Sequence, residues 1–158
     1  METSALTELL GATWFGADMS VKTRARLAAV GHLVDFPDGA VIVREGTPCE
    51  EMGVIVRGRV ALRMALAGGE DRTILTVEPG DVFGWSAVVA PGMATSTCVA
   101  VGPTQAVLFD GVDLRLALAI DSDLASVIYQ RLLACVIRRL MATRIQLLDL
   151  YRPGNEPW

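Results

Sequence analysis

Histidine is nearly absent from this chain: His32 is the single one among 158 residues. Catalytic metal centres and Ser-His or Cys-His nucleophiles lean on imidazole, so the scarcity weighs against both. His32 follows a helical stretch and is expected to be an ordinary loop or core residue. The three cysteines, Cys49, Cys98 and Cys135, are odd in number and form no CxxC pair. Neither a disulfide framework nor a zinc site follows from them; plain buried thiols are expected. P-loop, HExxH and GxSxG motifs are all missing. No apolar run reaches the roughly 18 residues of a membrane span. No basic residue precedes Lys22, which argues against a signal peptide and for a cytoplasmic protein. Nor is there a cationic excess: 14 Lys and Arg stand against 18 Asp and Glu. A protein that works by neutralising phosphates is usually basic, so no nucleic-acid partner is expected. These absences together predict no catalytic residues, no metal and no membrane partner.

What is present is apolar and orderly. Hydrophobic residues make up 52% of the chain, enough for one well-filled domain. Thr3–Leu10 and Ser20–Val30 read as helices, with Ser20 as N-cap of the second and Gly31 as its C′ glycine. The loop between them, Gly11–Met19, carries Trp14 and Phe15, which are expected to dock on the core. From His32 to about Phe109, short β-branched segments alternate with turn residues such as Pro37-Asp38-Gly39 and Gly68-Gly69, with further breaks at Gly58 and at Gly102-Pro103. That spacing predicts an all-β sandwich or barrel. Val112–Ile120 reads as a short helix, and Asp121 or Ser122 caps a longer one reaching about Tyr151 and ended by Pro153-Gly154. The divisions are therefore 1–31 for the N-terminal helices, 32–110 for the β-roll, 111–151 for the short and long helices, and 152–158 for a tail.

The last helix would be about 45 Å long, too long to lie wholly on a small barrel. Tyr129, Leu133, Val136, Leu140 and Leu147 follow heptad spacing, with Thr143 inserted and Leu150 continuing the seam. Ile137, Met141, Ile145 and Leu148 flank it as a second stripe. The length and the double stripe predict a homodimer through paired helices, one stripe facing the barrel and the other the partner. The competing expectation is a helix packed entirely on its own domain.

The stretch Gly80–Val101, "GDVFGWSAVVAPGMATSTCVAV", contains no Arg or Lys. Together with "FPDGAVIVREGTPCEEMGVIVRGRVAL" (Phe36–Leu62), "VEPGDVFG" (Val77–Gly84) and "IRRLMATRIQLLDL" (Ile137–Leu150), it resembles the cyclic-nucleotide-binding domains of the bacterial Crp/Fnr type. The resemblance implies an α+β, mainly β, fold. An eight-stranded jelly-roll barrel would be flanked by N-terminal helices and a long C-terminal dimerisation helix. It also implies a phosphate-binding cassette at Phe83, Gly84, Trp85, Ser86 and Ala87, closed by Ala94, Thr95 and Ser96, with Thr143 reaching the base from the long helix. In that family a Glu follows the Phe-Gly pair and an Arg opens the second half. Here those positions are Trp85 and Ala94. Each lost charge-assisted hydrogen bond is worth about 1.5–3 kcal/mol, together on the order of a thousandfold in affinity. Binding of cAMP or cGMP is thus expected to be weak or absent, and no cofactor is expected.

The same residues admit plainer uses. Trp85 and Met93 are expected to plug the cavity rather than line an apolar pocket for another ligand. Thr95 and Ser96 are expected to be surface hydroxyls at a strand start, Glu45 a turn-stabilising carboxylate, and Arg138 and Arg139 a solvated helix face rather than a basic patch. The helix-turn-helix that the family carries after this helix is not in the sequence. The expectation is a stand-alone, non-enzymatic regulatory module that answers to a different ligand or to a protein partner. A ligand-free interaction module is the alternative, and a cupin-like metal enzyme is a remote one given the single His.

Overall fold

The computed structural model describes residues 2–90 and 92–151. The tail expected at 152–158, with Pro153-Gly154, lies outside the described residues. Two helices come first, α1 (Glu2–Gly11) and α2 (Val21–Ala28). Ser20 caps α2 as expected, its Oγ accepting from Thr23 N at 3.1 Å. Gly31 is not a C′ glycine, because it already opens the first strand. It is small for another reason: a Cβ there would stand 2.7 Å from the Phe109 ring.

Six strands follow: β1 (Gly31–Phe36), β2 (Val41–Val43), β3 (Glu51–Ala65), β4 (Asp71–Val77), β5 (Val82–Phe83) and β6 (Thr97–Asp110). All their pairings are antiparallel, in the order β1-β6-β3-β4, with β2 added to β6 and β5 to β3. The expected count was eight. Two of the expected breaks, at Gly58 and Gly102, bend strands without ending them. β3 changes register against β6 between Ile55 and Arg59. Gly58 sits in that bulge at φ +83, where an added Cβ would lie 2.5 Å from Pro103 O. Thr104, 3% exposed, bridges the irregularity: its Oγ1 accepts from Arg59 N and donates to Arg59 O at 3.0 Å. A glycine of this kind marks a bulge as readily as a turn.

The roll closes over a cluster drawn from β3, β4, β5 and β6, including Ile55, Val60, Val77, Phe83 and Leu108, with Val34 and Phe36 of β1 and Ile42 and Val43 of β2 packed against it. A second cluster joins the sheet to the helices through Leu10, Phe15, Leu27, Met52 and Phe109. After β6, Asp110 caps α3 (Gly111–Ile120) by accepting from Val112 N and Asp113 N. Asp121 then caps α4 (Ser122–Leu150) by accepting from Leu124 N at 3.0 Å. The face of α4 turned to its own domain is Leu124, Ile128, Leu132 and Cys135. Neither stripe expected from the sequence lies on the barrel: Tyr129, Leu133, Val136, Leu140 and Leu147 are exposed, and so are Ile137, Met141, Ile145 and Leu148. His32 is an exposed residue of β1, neither loop nor core. No helix among the described residues is long and apolar enough to cross a membrane.

Two glycines separate packing from backbone freedom. At Gly53 an added Cβ would fall 2.2 Å from the Phe83 ring, whereas at Gly68 it would meet open space. Gly53→Ala is expected to destabilise the fold by about 1–3 kcal/mol through overpacking, and Gly68→Ala to leave it within about 0.5 kcal/mol. Urea titration of both variants checks the contrast.

Candidate functional site

β5 is only two residues long and is held to β3 through Gly53 and Val54. The chain then turns at Gly84, φ +69, into a single 3-10 turn, Trp85–Ala87. Only glycine fits there, since a Cβ would lie 2.3 Å from Glu51 O. Cys49 Sγ donates to Gly84 O and pins the corner. The segment leading to β6 is stitched to the opposite loop: Gly46 N donates to Ala94 O, Ala94 N to Thr47 O, and Cys49 N to Gly92 O. Glu45 is structural, as expected, accepting from Ala65 N at 2.9 Å.

These two segments and α4 enclose a cavity of about 250 Å³. Of the residues the sequence pointed to, Gly84, Trp85, Ser86, Ala94, Thr95, Ser96 and Thr143 line it. Phe83 does not; it is a 1% exposed core residue of the roll. Ala87 lies behind the turn, against a larger open depression of about 740 Å³ that also touches Glu50, Asp110 and Arg115. That depression is wider, but Trp85 and Ala94 do not meet in it. Met93 is 41% exposed and absent from the cavity lining, so it is no plug. Trp85 does not fill the space either: it packs partly buried against the helix-side core and leaves the cavity beside it.

The feature that the sequence reading missed is Arg139. Expected on a solvated face, it is half-buried at the cavity wall. Its Cζ lies 4.3 Å from the centre of the Trp85 ring, and its guanidinium donates to Val82 O. Its Nε is buried without a hydrogen-bond partner. Burial lowers its pKa, while the nearby Cys135, Asp81 and Cys98 work in the opposite direction. Arg138 is engaged as well, stacked 3.8 Å over Trp14 and paired with Asp81. Arg131 bonds Asp18 at 2.8 Å, so the inner side of α4 is tied to the domain by three cations. A signal was available: Leu132, Cys135, Arg139 and Thr143 recur every three or four residues and continue the buried face of the helix. Thr143 reaches the cavity, but its hydroxyl donates to Arg139 O at 2.8 Å.

The domain's cysteines are free and buried. Burial pushes the Cys98 thiol up to about 11, and raises Cys49 as well. Among the described residues no group of three or more His, Cys, Asp or Glu is placed to hold a metal.

A family model for the cyclic nucleotide-binding domain matches residues 33–121. The chain is 30% identical over 117 residues to a CRP-like cAMP-activated global transcriptional regulator of Mycobacterium tuberculosis, covering 74% of this chain and 50% of the relative. It is 30% identical over 138 residues to a cAMP-dependent protein kinase regulatory subunit of Dictyostelium discoideum, covering 85% of this chain and 38% of that one. Among solved structures, a putative cyclic nucleotide-binding protein from Geobacter metallireducens superposes with a TM-score of 0.74 at 27% identity, over 85% of this chain and 97% of that chain. The chain belongs to the cyclic nucleotide-binding domain family. It spans half the length of the Mycobacterium relative and less of the Dictyostelium one.

The Cys98 environment sets a pH dependence. The thiol ionises near 9.0 when unfolded and near 11 when folded, so above 9.0 the unfolded chain binds fewer protons than the native one. The stability that Cys98 contributes is present below pH 9 and is lost as pH rises towards 11. The loss is on the order of 2 kcal/mol. Denaturant titrations between these limits are expected to show a flatter slope for Cys98→Ala than for the unmodified protein.

Proposed function

We propose that this chain is a non-catalytic regulatory module of the cyclic nucleotide-binding family whose cassette has given up cAMP and cGMP. A different small ligand, or a protein partner, takes their place. The observation that carries the reading is the pair Trp85 and Ala94. Both line the cavity, and by the sequence resemblance they stand where the family carries its ribose-binding Glu and phosphate-binding Arg. Among the described residues no carboxylate lines the cavity, and no cation enters it from the 92–96 side. The turn after Gly84 is three residues long, and Ala87 N and Val88 N are already bonded to Gly84 O and Trp85 O. At this turn that leaves the N–H groups of Trp85 and Ser86 to a phosphate, without the family's arginine beside them.

Calorimetric titration with cAMP and cGMP tests this directly. The unmodified protein is expected to give no saturable heat at micromolar nucleotide, and a Trp85→Glu/Ala94→Arg double variant to bind at least a hundredfold more tightly. Micromolar binding by the unmodified protein would overturn the reading.

The module acts as a homodimer through α4. Support comes from Tyr129, Leu133, Val136, Leu140 and Leu147, which share one heptad seam and are 40–60% exposed. An apolar stripe of that length on a monomer would be unusual. Sedimentation equilibrium is expected to give twice the chain mass for the unmodified protein and the single mass for Leu140→Glu. A monomer in both cases would leave α4 to a different partner and favour the ligand-free interaction module.

A further inference from the structure

Arg139 is the one charged side chain among the described residues lining the cavity. It comes from α4, so it is not a shifted copy of the family's cassette arginine. Its guanidinium is held by Val82 O and by the Trp85 ring, and no carboxylate is bonded to it. Asp81, which acts on it through space, is bonded to Arg138. A half-buried cation at a cavity wall with no carboxylate among the described lining residues favours an anion there. The lining also includes the apolar side chains of Val43, Leu62 and Leu75, with Cys98, Ser86 and Ser96.

We propose that this cavity binds a small monocarboxylate with an apolar body, its carboxylate accepting from Arg139 and its body lying against Val43, Leu62 and Leu75. The proposal rests on the reading above that cyclic nucleotides have been given up at this site. A single guanidinium fork matches a carboxylate in shape and charge. A phosphate would leave much of its charge unanswered, since no second cation stands among the described lining residues. The volume of about 250 Å³ lies below the roughly 300–1,000 Å³ of drug-sized pockets, which restricts the body to a ring or a short branched chain.

The test is calorimetry of the full chain at pH 7.5 with phenylacetate, indole-3-acetate and 3-methylbutanoate, each beside its neutral amide, and with inorganic phosphate. At least one acid is expected to bind about tenfold or more tightly than its amide, and more tightly than phosphate. Arg139→Met is expected to erase the preference for the acid, and Arg139→Lys to keep part of it. The proposal is overturned if none of the acids binds, if the amides bind as well as the acids, or if Arg139→Met leaves acid binding unchanged. The acid–amide comparison in the unmodified protein stands whether or not a variant folds. Failure of the acids alongside gain of cAMP binding by Trp85→Glu/Ala94→Arg would overturn this proposal alone and leave the cassette reading in place.

Discussion

The β3–β6 ribbon is the constraint on which the rest of the molecule depends. These two long strands pair from Glu51–Asp110 at one end to Arg63–Thr97 at the other. Every other strand is attached to one of them. The ribbon cannot stay flat and close a roll, so it bends at Gly58, where Thr104 satisfies the backbone of Arg59 that the bulge leaves unpaired. The bend brings the two ends of the ribbon into different surroundings. One end meets the helices through Met52 and Phe109, and the other forms the cavity wall through Leu62 and Cys98. The cassette corner is placed by the same ribbon, because β5 pairs with Gly53 and Val54 of β3 and Gly84 packs against Glu51 O.

Helix α4 is held in two different ways along its length. Up to Cys135 it buries aliphatic side chains in the helix-side core. Beyond Cys135 the anchoring passes to arginines, with Arg138 between Trp14 and Asp81 and Arg139 between Trp85 and Val82 O. A guanidinium stacks on an aromatic face and donates in its own plane at once, which suits it to an attachment at the rim of a cavity. The remaining surface of the helix is left apolar and exposed over Leu133, Leu140 and Leu147. Own-domain packing and the exposed seam therefore use different faces of one helix and do not compete for the same side chains.

Much of this was legible from local chemistry. Ser20 and Asp121 cap helices as their residue types suggest, Phe15 docks on the core, and the glycine pattern of the turns carried the family resemblance. Elements were lost where a single residue type serves two structural ends. Gly58 and Gly102 looked like strand ends and are positive-φ residues inside continuous strands. Gly31 looked like a helix stop and is a clearance for Phe109. The two apolar stripes of α4 drew attention from the weaker buried stripe, Leu124, Ile128, Leu132 and Cys135, whose continuation is a cation. Charge on a helix is ordinarily solvated, so only the phase of Arg139 relative to Cys135 distinguishes it from its neighbour Arg138. The cavity residues next to Trp85 in sequence were readable for the same reason that Arg139 was not: they are local, and it is supplied across the fold.

That origin has a thermodynamic consequence. An arginine rooted in the roll would hold a ligand without reference to the long helix. Arg139 is part of α4, and its guanidinium already donates to Val82 O and stacks on Trp85. Any anion that draws on this guanidinium changes the free energy with which α4 is seated, and by reciprocity any force on α4 changes the affinity for the anion. The coupling needs no long pathway, because cation, ring and helix turn are in direct contact. Its sign depends on whether the ligand adds an acceptor to the guanidinium while Val82 O keeps its bond, or replaces Val82 O. Adding an acceptor would tighten the seat of the helix, since the cation gains a partner without losing one. Replacing Val82 O would loosen it, since β5 would lose its link to α4.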